Sequence, residues 1–181
     1  ILSHAPRRVQ SLLMMVDAYE PLGFTELAVD SIFMMPHLGV LSTVDEKAAT
    51  DVFVRDCLIY LGTCVAPIGQ GSWGERCADY TITFTSGRTP ASPPAIKGTL
   101  KFGELRLFPL AAGEEATVSV TPARTVDVGA GRGVAVERRA RGGVVGLVLD
   151  GRGRPLQLPT KQDERVRALK EWHQALNLYP S

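Results

Sequence analysis

From Thr63 onward glycine and proline become frequent, and the apolar period drops from helical spacing to two. That change constrains the fold more than any other feature of the chain. Tyr80, Ile82 and Phe84 alternate with threonines, the pattern of a half-buried strand. Further strands are predicted at 97–102, 104–108, 116–120, 134–139, 144–149 and 156–158. Many short strands between Gly and Pro punctuation favour an antiparallel sandwich or small barrel. The absence of helices between them argues against a parallel sheet. Residues 69–74 read as an exposed loop and 86–94 as a turn-rich connection.

On either side of this β-part the helical period returns. Pro6 suits a first helical turn, where its missing N–H costs nothing, and Val9, Leu12, Leu13 and Val16 make one stripe that Pro21 and Gly23 end. Leu27 and Val29 alternate with polar neighbours, a short strand at 25–30. The apolar run 32–38 reads as one or two helical turns broken near Pro36, its methionines filling core gaps. Thr43 and Glu46 have capping-box spacing, and Ala49, Val52, Phe53, Cys57, Tyr60 and Leu61 form one buried helical face that Gly62 stops. A last helix runs from Thr160 to about Asn177, with Val166, Leu169, Trp172 and Leu176 as its apolar stripe. The expected class is α+β: a mostly helical segment over 1–62, a mostly antiparallel β-domain over 63–159, and an amphipathic helix over 160–181 docked on the body.

Twenty basic and 19 acidic residues leave a net charge of +1, so no global field draws in nucleic acid or anionic lipid. No apolar run approaches the roughly 18–20 residues of a membrane helix. Cys57, Cys64 and Cys77 are odd in number and widely spaced, which fits neither a disulfide framework nor a zinc site. They read as reduced thiols of a cytoplasmic protein. The chain starts Ile1-Leu2-Ser3-His4 without Met or signal-peptide character, so it is expected to be the C-terminal part of a longer protein.

Local chemistry is sparse. His4, His37 and His173 lie on separate segments without recurrent ligand spacing, so no metal ligand is assigned; His37 is expected in the core and His173 at the surface. No G-x-S-x-G elbow is present, Gly69-Gln70-Gly71-Ser72 lacks the strand–Ser–helix setting, and no catalytic residue is assigned. Gly129-Ala130-Gly131-Arg132-Gly133 misses both nucleotide-loop patterns and reads as a glycine turn between strands. Residues 124–154 hold seven arginines against Asp127, Glu137 and Asp150, with no aromatic residue to stack bases. Arg138, Arg139, Arg141, Arg152 and Arg154 are the candidates for partner or anion contact. The preferred reading of these arginines is solvated edge charge, which discourages aggregation.

Several blocks occur in a familiar order: Leu2-Ser3-His4-Ala5-Pro6-Arg7-Arg8, the run from Glu26 through Asp30-Ser31-Ile32-Phe33-Met34-Met35-Pro36-His37-Leu38-Gly39, Leu61-Gly62-Thr63-Cys64-Val65-Ala66-Pro67, Pro122-Ala123-Arg124 with Asp127-Val128-Gly129-Ala130-Gly131, and Gly142-Gly143-Val144-Val145-Gly146 with Arg152-Gly153-Arg154-Pro155-Leu156. Together they resemble the C-terminal portion of the MutL-type proteins encoded beside glutamate mutase and related cobalamin-dependent aminomutases, which are unrelated to the mismatch-repair protein of that name. The resemblance implies a relative of actin-like, sugar-kinase and Hsp70-type ATPases that acts as a chaperone or reactivating factor for the mutase. It implies ATP and magnesium for the longer protein, none of them held by this stretch, and aminomutase subunits as partners. It places the phosphate loops upstream and leaves Ser3, His4, Arg7 and Arg8 as nucleotide-proximal candidates. Residues 1–62 would end an ATPase lobe, and 63–159 would dock the mutase. The alternative is a stand-alone β-barrel interaction or ligand-binding module without enzymatic activity.

Overall fold

The computed structural model describes residues 5–86 and 95–179. Among the described residues, four α-helices and eight strands build three layers. Helices α1 (Arg8–Tyr19) and α4 (Gln162–Ala175) cover one face of a first sheet. That sheet has the order β1 (Gly23–Asp30), β2 (Leu58–Ala66), β8 (Gly146–Asp150), β5 (Leu105–Phe108). Its other face packs on a second sheet ordered β4 (Ala95–Lys101), β3 (Arg76–Ser86), β6 (Glu115–Pro122), β7 (Val136–Arg141). The class is α+β with a sandwich of two antiparallel-rich sheets, and the sheets do not close into a barrel.

Strand alternation sets the two cores. On β8, Val148 faces the helices beside Leu12, Val16, Trp172 and Leu176, while Leu147 and Leu149 face the second sheet beside Ile82, Val118 and Val120. A strand buried on both faces needs a continuous apolar run, which Gly146-Leu147-Val148-Leu149 supplies. On β6, burial alternates through Ala116, Val118 and Val120, the period-two signal of a strand with one dry face.

Several expectations need correction. β2 pairs parallel with β8, Gly62 opposite Gly146. A parallel pair needs a crossover, and here the second sheet together with β5 supplies it in place of a helix. The helix expected to run to Leu61 is shorter. α3 (Glu46–Val52) passes through one wider π turn, Phe53–Cys57, and the chain enters β2 at Leu58. The expected break at residue 62 therefore falls inside β2, and the first 62 residues supply β1 and half of β2 to the shared sheet. The cap of α3 is Asp45, whose carboxylate accepts from the Ala48 N–H at 2.9 Å, whereas the Thr43 hydroxyl donates to the Val40 carbonyl. Pro36 lies in the first turn of α2 (Met35–Leu41), so it starts that helix rather than breaking it.

On α4 the buried line is Ala168, Trp172 and Leu176, spaced by four, while Val166 and Leu169 face solvent. His37 is exposed rather than in the core, and 156–158 form no strand. The turn-rich connection lies, beyond Ser86, outside the described residues. No helix among the described residues is long and apolar enough to cross a membrane.

The three cysteines are free and buried. Burial, with the nearby Asp150 charge, pushes the Cys64 thiol far up and the Cys77 thiol up to about 12. Because the thiolate is the reactive form, native protein is expected to resist iodoacetamide at a pH near about 8. All three sites should label once denaturant unfolds the chain, read by intact mass. Fast labelling of Cys64 in the native state would contradict this packing.

Candidate functional site

The arginines expected to form one solvated set divide into two. Arg152 and Arg154 leave the surface entirely, with side chains 1% and 2% exposed. Both converge on Asp150 at the end of β8, itself fully buried. Arg152 donates through Nε and Nη2 to the two Asp150 oxygens at 2.9 Å each, and its Nη2 also meets Asp17 of α1 at 2.8 Å. Arg154 donates to Asp150 at 2.7 Å, to the Pro21 carbonyl at 3.1 Å and to the Gly153 carbonyl at 2.8 Å. Burial alone would raise the Asp150 carboxyl. Hydrogen bonds and charge from Arg152, with the charge of Arg154, outweigh burial and hold it below the usual carboxylate range. The Arg152 guanidinium carbon lies 4.9 Å from the centroid of Trp172, whose indole N–H donates to the Gly103 carbonyl at 2.7 Å. This cluster ties α1, α4 and the end of β8 together, with Arg152 Nη1 left buried and without a hydrogen-bond partner among the described residues.

The glycine turn at 129–133 and the nucleotide-proximal candidate Arg7 are also engaged within the fold. The amide N–H groups of Gly129, Ala130 and Gly131 all donate to one Asp127 oxygen, at 2.6, 3.1 and 2.9 Å. The nest a phosphate would need is filled by the chain's own carboxylate. Arg7 reaches across to donate to the carbonyls of Asn177 and Leu178 at 2.6 and 2.8 Å, closing the C-terminal end of α4. Arg8 lies beside it in a shallow cleft with Val144 and Leu176. Ser3 and His4 lie outside the described residues.

What remains outward is the edge strand β7. Arg138, Arg139 and Arg141 are all exposed. Arg138 shares the register parity of buried Val136 and Ala140 yet stands in solvent, so the sandwich is open along that stretch of edge. Arg139 lies 3.6 Å from Glu115, an exposed pair that contributes little. Arg141 differs from both. Its guanidinium carbon lies 3.7 Å from the ring centroid of Tyr60 on β2. The Thr63 hydroxyl donates to the Arg141 carbonyl at 2.8 Å and accepts from its N–H at 3.0 Å.

The next residues press this corner shut. Val144 N–H donates to the Tyr60 carbonyl at 3.0 Å, and a Cβ on Gly143 would meet the Leu61 carbonyl carbon at 2.4 Å. Only glycine lets the turn lie this close to β2, and that closeness sets Arg141 on Tyr60. The site is thus an exposed arginine edge with one guanidinium held on an aromatic face. Tyr60, read as helix core, and Thr63 were not legible as parts of it.

Away from β7, against α4, Trp73 stacks on Trp172 with centroids 5.9 Å apart and is 48% exposed beside a cleft of about 330 Å³. Comparison of the chain with protein-family models, curated proteins and solved structures finds no match.

Proposed function

We propose that this chain is the C-terminal, non-catalytic region of an ATP-dependent chaperone or reactivating factor for cobalamin-dependent glutamate mutase or a related aminomutase, acting in the cytoplasm. The second sheet of the sandwich docks the mutase, and residues 1–62, which share the first sheet with the β-part, complete a nucleotide-binding lobe whose phosphate loops and magnesium lie upstream. The observation that carries the docking role is the exposed Arg141 stacked on Tyr60 at the C-terminal end of the β7 edge. Arginine and tyrosine are enriched among residues that dominate binding energy, and a guanidinium already held in place loses little entropy on contact. The lobe role is supported by the helical excursion between β1 and β2, where Ile32, Phe33, Met35, Val40 and Val44 are each at least 57% exposed. So dense an apolar surface marks a packing face.

The test is capture of the aminomutase by the longer protein. Replacing Arg138, Arg139 and Arg141 together by glutamate is expected to abolish capture. Capture that survives this reversal removes the docking role, and a longer protein without ATP affinity removes the lobe role.

A second reading, an interaction or ligand-binding module without enzymatic activity, is favoured by the half-exposed Trp73 and its cleft. Both tryptophans of the chain lie in that stack, so intrinsic fluorescence reports any ligand there.

A further inference from the structure

We propose that the outer edge of β7 receives an extended segment of a partner protein that carries carboxylates at alternate positions. This rests on the reading that the sandwich docks a protein, not on which protein it docks. The strand register supplies the first step. Gly142 N–H donates to the Glu114 carbonyl at 3.0 Å, and the same register sets Ala140 opposite Ala116 and Arg138 opposite Val118. Bonded and non-bonded pairs alternate in an antiparallel ladder. The backbone groups of residues 138 and 140 therefore turn toward β6, and those of 137, 139 and 141 turn outward. At Arg141 both outward groups are taken by the Thr63 hydroxyl. Toward Glu137 the edge opens, and the Glu137 carbonyl receives a 3.2 Å contact from Arg138 Nη1.

Side-chain chemistry supplies the second step. Arg138 and Arg141 have no carboxylate partner among the described residues, and Arg139 has the 3.6 Å contact with Glu115. An added strand pairs at Arg139 and carries side chains to one face every second residue, so with one carboxylate opposite Arg139 the next on that face lies beyond the paired stretch, on the side of the Arg141 guanidinium. Arg141, fixed on Tyr60, offers a planar fork that matches a carboxylate. Nucleic acid fits this edge less well. Arg141 already covers one face of Tyr60, and the exposed residues Glu137, Arg138 and Arg139 add no aromatic ring on which successive bases could stack.

The experiment titrates the chain with a peptide of alternating Glu and Thr, and with a peptide of the same composition arranged in two blocks. Backbone amide and arginine Nε resonances are followed by NMR. The alternating peptide is expected to shift the Glu137 and Arg139 amides and the Arg141 Nε, and to bind about tenfold more tightly than the block peptide. Arg141→Ala, at an exposed position, should weaken binding at least several-fold with the fold unchanged by circular dichroism. Arg138→Gln with Arg139→Gln gives a second variant that leaves the Tyr60 contact intact and should also weaken it. Equal binding of the two peptides, shifts centred elsewhere, no saturable shift, or tighter binding of a uridine oligonucleotide would each overturn the proposal. Peptide binding with failed capture of the aminomutase would remove the family reading and leave this one standing.

Discussion

Asp150→Ala is expected to cost the chain about 3–5 kcal/mol of stability, the range found when one partner of a buried ion cluster is removed. The carboxylate is fully buried and receives both Arg152 and Arg154, whose side chains are 1% and 2% exposed. Without it, Arg154 keeps the Pro21 and Gly153 carbonyls, and Arg152 keeps Asp17, which is 43% exposed and set in a weaker, wetter field. Two guanidinium groups would then sit in the core with one half-solvated counter-charge. Urea denaturation measures the loss, with Arg139→Ala as a surface control expected within about 0.5 kcal/mol of the parent. The pH dependence has a fixed sign. Asp150 is held below its unfolded value, so its contribution is complete above the ordinary carboxylate range near about 4 and fades as pH falls through the lower folded value. Asp150→Asn should therefore flatten the acid limb of the stability curve. An acid limb identical to that of the parent, or a loss under about 1 kcal/mol, would mean that the cluster is far wetter than its burial shows.

The same cluster shows where sequence reading stops. Alternation exposes strands that have one dry face, which is why β3 and β6 were visible from Ile82, Val118 and their polar neighbours. Arg152 and Arg154 looked solvated because a charge count carries no information about burial. The available hint is order: Asp150 sits between an all-apolar run and two arginines, so an acid already inside the core can draw both after it. β2 was hidden differently. Phe53, Cys57, Tyr60 and Leu61 continue a helical stripe, while the strand they enter is covered on both faces for most of its length and shows no alternation. The Arg141–Tyr60 contact joins residues remote in sequence, and no local pattern encodes it. What the sequence did hold was the means, since the glycine pair at 142 and 143 marks a place where backbone must approach backbone.

Gly62→Ala is expected to be the most damaging single-methyl change in the chain. Gly62 lies opposite Gly146 in the parallel β2–β8 pair, at φ 142°, a region that side-chain-bearing residues rarely adopt. A Cβ there would stand 1.8 Å from the Gly146 carbonyl oxygen and 2.8 Å from its carbon. Neither strand can yield. β2 is held by β1 on its other side, and β8 by β5, where a Cβ on Gly146 would itself meet the Phe108 carbonyl at 2.5 Å. Relief therefore requires β2 and β8 to separate, opening both cores. The expected loss exceeds about 4 kcal/mol, in the class of severe core and backbone clashes. Gly39→Ala in α2 is the matched control, because nothing lies within 4 Å of its added carbon. There alanine should be neutral or stabilising by up to about 1 kcal/mol through helix propensity. The comparison also bears on the site. Thr63, next to Gly62, pins the Arg141 backbone, so spreading β2 should lift Arg141 from Tyr60 before the chain unfolds globally. Arginine Nε shifts in a mild denaturant series would show that order. A Gly62→Ala protein with parental stability would place the parallel pairing of β2 and β8 in error.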